Sequence, residues 1–444
     1  MTTRIAAAAA LLAARAALAS PFDLYGFSAR GVGSAGALTA IGDDVSAAYY
    51  NPSAVVGTKD VELLLGFSFG QPFLSIDHGV DGGKNLPRCS PDSAATPCDH
   101  IPEGLGDFVI GAVLPMGGKL KHRAALTLAF NLPAPNLVRV QSLDASEPQF
   151  YMYNSQPDRF ALFASLAVKL LDELSVSAGV QALASFDGHV NFAMELFNRQ
   201  FKKRELTNNL QTVVSPVVGL TFKKGDFRAG LAWRGEMQLA YALPVAVDLG
   251  AIGALKLDVH GIAHWTPHVV DLGVGYKVTD ALSLDVDLGY EMWSRAPNDQ
   301  VFVGNSLQGD ALIQSGLADV LSFSSHDPAM GFSDVLVARA GAEYAVSELF
   351  SLRGGVGYRP SPVPDQEGAT NYLDNATVTV AGGFSVGFAD PLEIFERPIT
   401  IDVGVEYLAA IPRAYHKQQS ADPAGNYAFG GGALDLAAAV RYRW

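Results

Sequence analysis

The sequence predicts an all-β chain, a 14-stranded antiparallel transmembrane β-barrel. Three observations point there. The chain of 444 residues holds 45 glycines, 24 phenylalanines and 15 tyrosines, yet only 17% of it is charged, where a soluble domain has roughly a quarter. Beyond Ala19 no apolar run reaches the ~18 residues that a spanning helix needs. Fourteen segments alternate apolar with small or polar residues at period two, as strands do between lipid and a polar interior.

The segments are Val61–Ile76, Leu105–Met116, Leu120–Asn131, Pro157–Leu171, Glu173–Asp187, Gln211–Lys223 and Asp226–Tyr241, then Leu255–Val278, Ala281–Trp293, Asp334–Val346, Leu349–Pro360, Ala376–Phe388, Thr400–Ile411 and Gly432–Trp444. Most exceed the ~9–11 residues of a tilted strand crossing a bilayer. In Leu282–Trp293 the apolar set is Leu282, Leu284, Val286, Leu288, Tyr290 and Met292, and Ser283, Asp285, Asp287 and Glu291 fall between. The connections alternate too. Gly117-Gly118-Lys119, Lys224-Gly225, Thr279-Asp280 and Ser347-Glu348 separate long ones, as tight periplasmic turns separate external loops in outer-membrane barrels. Ala389–Ile399 is longer than that rule expects. The chain ends on Trp444, on the apolar face, and this looks like the signal that outer-membrane barrel assembly machinery reads.

Met1–Ala19 reads as a signal peptide. Arg4 gives a basic start, Ile5–Ala14 an apolar stretch and Ala17-Leu18-Ala19 a cleavage site. The expected division is 1–19 signal, 20–59 a separate N-terminal segment and 60–444 barrel. A net charge of −14 with no basic stripe argues against nucleic acid as a partner.

Ser20–Lys59 does not read as strand. Gly31-Val32-Gly33-Ser34-Ala35-Gly36 spells G-x-G-x-x-G, but a dinucleotide site needs a buried strand before it and a long helix after it. Small residues suit instead a plug whose backbone packs closely on a wall. The Gly-, Ser- and Ala-rich run, then Asp43-Asp44, then Asn51-Pro52, resembles the N-terminal hatch of the FadL-type transporters. That family carries long-chain fatty acids and other hydrophobic compounds across the Gram-negative outer membrane. Trp293-Ser294 is similar to it, as are Arg353-x-Gly355-x-x-Tyr358 and Ser361-Pro362-Val363-Pro364. The resemblance covers essentially the whole mature chain. Two features depart. Ser53 stands where the family has Ala, and the basic residues expected to hold a carboxylate have no clear counterpart, Arg295 being nearest.

The resemblance implies a barrel with the hatch motif Asp43, Asp44, Asn51, Pro52 and Ser53 inside its lumen. It implies capture of cargo in an external apolar groove, transfer to an internal pocket, hatch movement, and sideways release at a kinked third strand. That strand corresponds to Leu120–Asn131, and Pro133 just beyond it marks the expected lateral exit. Apolar residues on an external loop are costly unless they meet lipid or cargo. Phe192, Met194, Leu196, Phe197 and Phe201, in the expected loop Asn191–Phe201, are therefore the expected groove, with Ala242–Ala254 beside them.

Cys89 and Cys98 share the first long loop and, in an oxidising compartment, are expected to form a disulfide rather than free thiols or a metal site with His100. His260, His264 and His268 recur every four residues, but on a strand neighbours stand ~13 Å apart, so no shared metal is expected. Inward charges of both signs, among them Asp285, Asp287, Arg339, Glu343, Arg353, Arg359, Asp402, Glu406, Asp435 and Arg441, are expected to pair, with one or two arginines free for an anionic head group. Asp43 and Asp44 are expected to cap a helix or pair with lumen arginines. No nucleophile–base arrangement or G-x-S-x-G stands out, so no catalysis and no cofactor are expected.

The expected function is passive uptake of hydrophobic small molecules, foremost long-chain fatty acids, by a monomer embedded in outer-membrane lipid. Aromatic hydrocarbon as cargo, and an adhesive or structural barrel, stay open as alternatives.

Overall fold

The computed structural model describes residues 24–90, 97–134, 143–153, 160–195, 200–248, 254–297, 301–308, 324–325, 329–390, 397–418 and 422–444. The signal segment lies outside them. Fourteen strands form a ring: β1 (Glu62–Asp77), β2 (Leu105–Pro115), β3 (Ala124–Pro133), β4 (Ala161–Lys169), β5 (Leu174–Glu195), β6 (Gln200–Lys224), β7 (Phe227–Arg234), β8 (Val269–Lys277), β9 (Leu282–Glu291), β10 (Val335–Ala345), β11 (Phe350–Arg359), β12 (Thr377–Phe388), β13 (Ile399–Tyr415) and β14 (Tyr427–Arg443). Ring neighbours are antiparallel, and β14 closes on β1 from Glu62 opposite Arg443 to Asp77 opposite Ala428. Closure removes the sheet's edges, which a bilayer demands because it offers no hydrogen bonds. Each of the fourteen predicted segments overlaps one of these strands.

The outer face is apolar. Along β9, Leu284, Val286, Leu288 and Tyr290 are exposed, and Asp285 and Asp287 between them are buried. Water would penalise that arrangement, and lipid around a polar lumen favours it. Exposed Tyr276, Tyr344 and Trp444 lie near the short turns, and exposed Tyr290 and Tyr358 lie at the opposite strand ends, as girdles at two bilayer interfaces. Val61 N donates to Trp444 O at 3.0 Å, so both ends of the barrel segment meet at the short-turn end, the periplasmic side by the rule for such barrels.

Three expectations change. Asp226–Tyr241 and Leu255–Val278 are each two strands. β7 stops at Arg234, Gly235 N donates to Pro216 O at 2.9 Å, and Met237–Ala242 leaves the wall to pair with Ala254–Thr266. Pro267, which has no N–H to give a ladder, separates Ala254–Thr266 from β8. Asn191–Phe201 is not a loop, because β5 and β6 run on to Glu195 and from Gln200. Val245–Asp248 then lies parallel to Val190–Ala193 of β5.

The segment from Leu24 to Thr58 is enclosed by the ring. It holds α1 (Ser28–Gly33), α2 (Ala47–Tyr50) and a 3-10 turn, Pro52–Val55. Helices this short do not persist alone in water, so the wall fixes them. The partners lie around the ring: Glu343 on β10, Asp287 on β9, Arg228 on β7, Thr221 on β6 and Arg441 on β14. Two wall glycines make room. A Cβ on Gly404 would stand 2.3 Å from Ala29 O, and one on Gly355 2.3 Å from Ser34 O.

Toward the external end, residues 143–153 fold over the lumen as a roof. Gln149–Phe150 pairs in parallel with Tyr372–Leu373. Tyr151 meets Phe332, Tyr372 and Trp293 edge-on at 5.0, 5.8 and 6.5 Å between ring centres, contacts worth ~0.5–1.5 kcal/mol each beyond their burial.

Candidate functional site

A cavity of about 1220 Å³, a volume that includes its opening to solvent, lies between hatch and roof. The hatch contributes Tyr25, Thr39, Tyr49 and Tyr50, the roof Met152, and the barrel Pro267, Trp293, Val337 and Leu408. Three arginines and three acids share it: Arg234, Arg339, Arg359, Asp271, Glu291 and Glu406. The arginines are engaged with carboxylates. Arg234 Nη2 donates to Asp271 at 2.8 Å and Arg359 Nη2 to Asp374 at 2.8 Å, while Arg339 Nη1 stands 3.5 Å from Asp271. Arg234 also lies over the Tyr49 ring, 4.4 Å from its centre. The cavity is thus mixed: aromatic and aliphatic side chains share it with threonines and with three arginines and three acids.

The hatch motif holds the floor. Asn51 is fully buried. Its Nδ2 donates to Thr39 O at 2.8 Å, and to Leu220 O and Thr221 Oγ1 of β6 at 3.1 Å each. Its Oδ1 accepts from Ser53 N at 3.2 Å, which starts the turn that Pro52 opens. Ser53, where the family has Ala, adds Oγ contacts of 2.7 Å to Asn51 and 2.6 Å to Thr221. The departure from the motif therefore adds a third bond to the wall.

Asp43 and Asp44 belong to an ionic latch. Arg30 of α1 forks onto Glu343 with two bonds of 2.8 Å and reaches Asp43 at 3.0 Å and Asp44 at 3.2 Å. Arg228 reaches Asp43 at 3.3 Å, and Arg441 reaches Asp44 at 3.8 Å. Burial alone would raise the Asp44 carboxyl, but Arg30 and Arg441 hold it well below the ordinary range. Asp43 is lowered in the same way, Arg30 and Arg228 outweighing burial.

Among the described residues, Arg295 and Pro133 stand apart from the cavity. Arg295 does not line it: exposed, it pairs with Glu236 at 3.0 Å. Phe192 and Met194 lie on β5 and Phe201 on β6, while Leu196 and Phe197 lie outside the described residues. Pro133 pairs in register with Asp107, and the ladders on both sides of β3 run without a shift. His260 stacks on Phe302 and His268 on Trp233. Cys89 and Cys98 are joined by a disulfide. Sequence reasoning did not single out Arg234, Tyr49 or Tyr50. Arg339 and Arg359 were both among the inward charges read from the alternation.

A family model described as outer membrane protein transport protein (OMPP1/FadL/TodX) matches residues 10–444. The chain is similar to alkane uptake protein A of Marinobacter nauticus, 23% identical over 405 residues that cover 86% of this chain and 82% of that protein. Among solved structures it is similar to a Pseudomonas aeruginosa FadL homologue, with TM-score 0.58, 15% identity, and 94% and 98% of the two chains covered. It is similar also to the Ralstonia pickettii toluene transporter TbuX, with TM-score 0.54, 16% identity, and 95% and 100% covered.

Proposed function

The chain belongs to the OMPP1/FadL/TodX family of outer-membrane transport proteins, and from that premise we propose that it takes up neutral hydrophobic molecules of the alkane class by passive passage past its hatch. It is a Gram-negative outer-membrane β-barrel of a family that handles hydrophobic compounds. The cavity's charge pairing carries the choice of cargo. A carboxylate head inside a low-dielectric site needs a guanidinium to offset its desolvation. Arg234 and Arg339 share the Asp271 carboxylate of β8, at 2.8 and 3.5 Å, and Arg359 stands 2.8 Å from Asp374. An alkane needs no such partner, and the alkane uptake relative supports the same choice.

Transfer from water to an apolar groove is favourable in itself, so capture needs no energy source. The external hairpin of β5 and β6, with Phe192 and Phe201, receives the molecule. The cavity holds it against Trp293, Val337 and Leu408, and displacement of the hatch lets it pass sideways into lipid. In this reading the barrel is a monomeric conduit and not an enzyme, assembled through its C-terminal strand.

Filling the cavity tests the reading. Val337 lines it and is buried. Val337→Trp should lower uptake of a labelled long-chain alkane several-fold while heat-modifiable migration shows a folded barrel. Undiminished uptake by the folded variant would remove the cavity from the path.

A further inference from the structure

The first external loop and the roof meet at a corner where four metal-ligand side chains converge. The ligand atoms of Cys89, Cys98, His100 and Glu147 all lie within 4.8 Å of one another. His100 Nε2 is 2.7 Å from Glu147 Oε2, and Cys98 Sγ is 3.8 Å from Glu147 Oε1. Cys98 and Glu147 are buried, and His100 and Cys89 are half-buried.

The backbone holds this corner independently of the disulfide. Cys89 N donates to Asp99 O at 3.0 Å, and Asp99 N to Pro87 O at 2.9 Å, so the two cysteine-bearing segments are pinned together. His100 N donates to Pro148 O at 2.9 Å, which sets His100 beside Glu147. These backbone bonds do not involve the sulfurs and would still tie the two segments after reduction. Two thiolates, an imidazole and a carboxylate form a four-coordinate set for Zn²⁺, whose bonds of about 2.0–2.3 Å place tetrahedral ligands about 3.3–3.8 Å apart. The atoms reach that spacing by small movements, chiefly the parting of the two sulfurs.

We propose that this corner is a redox-dependent metal site: a disulfide when oxidised, and a Zn²⁺-class centre held by Cys89, Cys98, His100 and Glu147 when reduced. The chemistry balances. A dithiol supplies two electrons and two protons to the disulfide, giving two cysteine thiols and the oxidised dithiol. Zn²⁺ then displaces both thiol protons and one carboxylate–imidazole contact. The consequence concerns the roof. Glu147 stands five residues before Met152 of the cavity lining, so the metal would keep loop and roof fastened when the covalent clasp is gone.

The test uses the full chain in detergent micelles, reduced with dithiothreitol, freed of it anaerobically, and titrated with Zn²⁺ against a chromogenic chelator. Cd²⁺ is titrated in parallel for its thiolate charge-transfer absorption. The reduced protein should bind one equivalent with that absorption, and the unreduced protein none. The double variant His100→Ala, Glu147→Gln keeps both cysteines. It should bind more than about 100-fold more weakly, since losing even an outer partner of a metal ligand costs about 10–100-fold. Heat-modifiable migration of each reduced sample reports that the barrel is intact. Equal affinity of the reduced wild type and the double variant overturns the site, as does binding by the unreduced protein with the same affinity.

Discussion

The floor of the cavity is fastened through charge, and its roof through aromatic packing. Under the hatch, Arg30 alone ties α1 to Glu343, Asp43 and Asp44. In the roof, Tyr151, Phe332, Tyr372 and Trp293 meet edge to face. Packing is non-directional and can be replaced by any apolar body of fitting size. A buried ionic tie tolerates no such substitute, because removing one partner strands a charge. On the proposed reading, the roof exchanges its contacts for those of a hydrocarbon and the hatch moves as a unit.

Removing the hatch should have the largest effect. Deletion of residues 22–58 takes out the whole enclosed segment and should turn a barrel of near-zero conductance into an open pore in planar bilayers. A folded deletion protein that still conducts nothing would mean that the segment does not plug the lumen.

Next in size is Arg30→Gln. It leaves the buried carboxylate of Asp44 and the half-buried one of Glu343 without their main partner, a loss of up to ~3–5 kcal/mol. Hydrogen exchange should quicken through residues 28–56 and leave the roof unchanged. Tyr151→Ala should do the reverse, losing ~3–5 kcal/mol of packing as large aromatic deletions do. If either substitution loosens both regions equally, floor and roof are one cooperative unit.

Acid should act on the floor alone, and modestly. Asp43 and Asp44 have depressed values in the folded protein. Their contribution is therefore present above the unfolded value of ~3.9 and is lost as pH falls through the folded one. The tie of α1 through Arg30 to Asp43 and Asp44 should hold from about pH 8 to pH 5, with protection factors at residues 28–33 unchanged, and weaken only in stronger acid. A loss of protection there already between those limits would place another titrating group in the latch.

The smallest effect belongs to Ser53→Ala, which restores the family residue. It removes the Oγ contacts to Asn51 and Thr221, worth ~0.5–1.5 kcal/mol each, and should shorten the time the hatch stays seated. Single-channel recording should show more frequent brief openings than wild type, and an identical record would leave Asn51 as the sufficient anchor.

The same contrast explains what the sequence disclosed. Lipid forces strict alternation, so β9 and β14 could be read from Leu284–Tyr290 and Leu434–Trp444 by period alone. Alternation persists through Gly235 and across Pro267, and so it hid the breaks that end β7 and begin β8. The hatch was visible in its small residues and Asn51-Pro52, because close backbone packing against Gly355 and Gly404 selects them. The cavity arginines were not visible as a set. Arg234 finds Asp271 across the β7–β8 pair, Arg359 finds Asp374 beyond the end of its own strand, and Arg30 finds Glu343 only when the ring closes. Arg295 was chosen by its nearness to Trp293, and the 3-10 turn Trp293–Arg295 leaves it exposed on Glu236.

The central claim is that this barrel admits neutral hydrocarbon past a cavity whose arginines each lie beside a carboxylate. The direct measurement is uptake of a labelled long-chain alkane and of the fatty acid of equal chain length, by cells with and without the protein. The expected result is a rise for the alkane that Val337→Trp lowers several-fold, and little or no rise for the fatty acid. A larger rise for the fatty acid, or no rise for either, would contradict it.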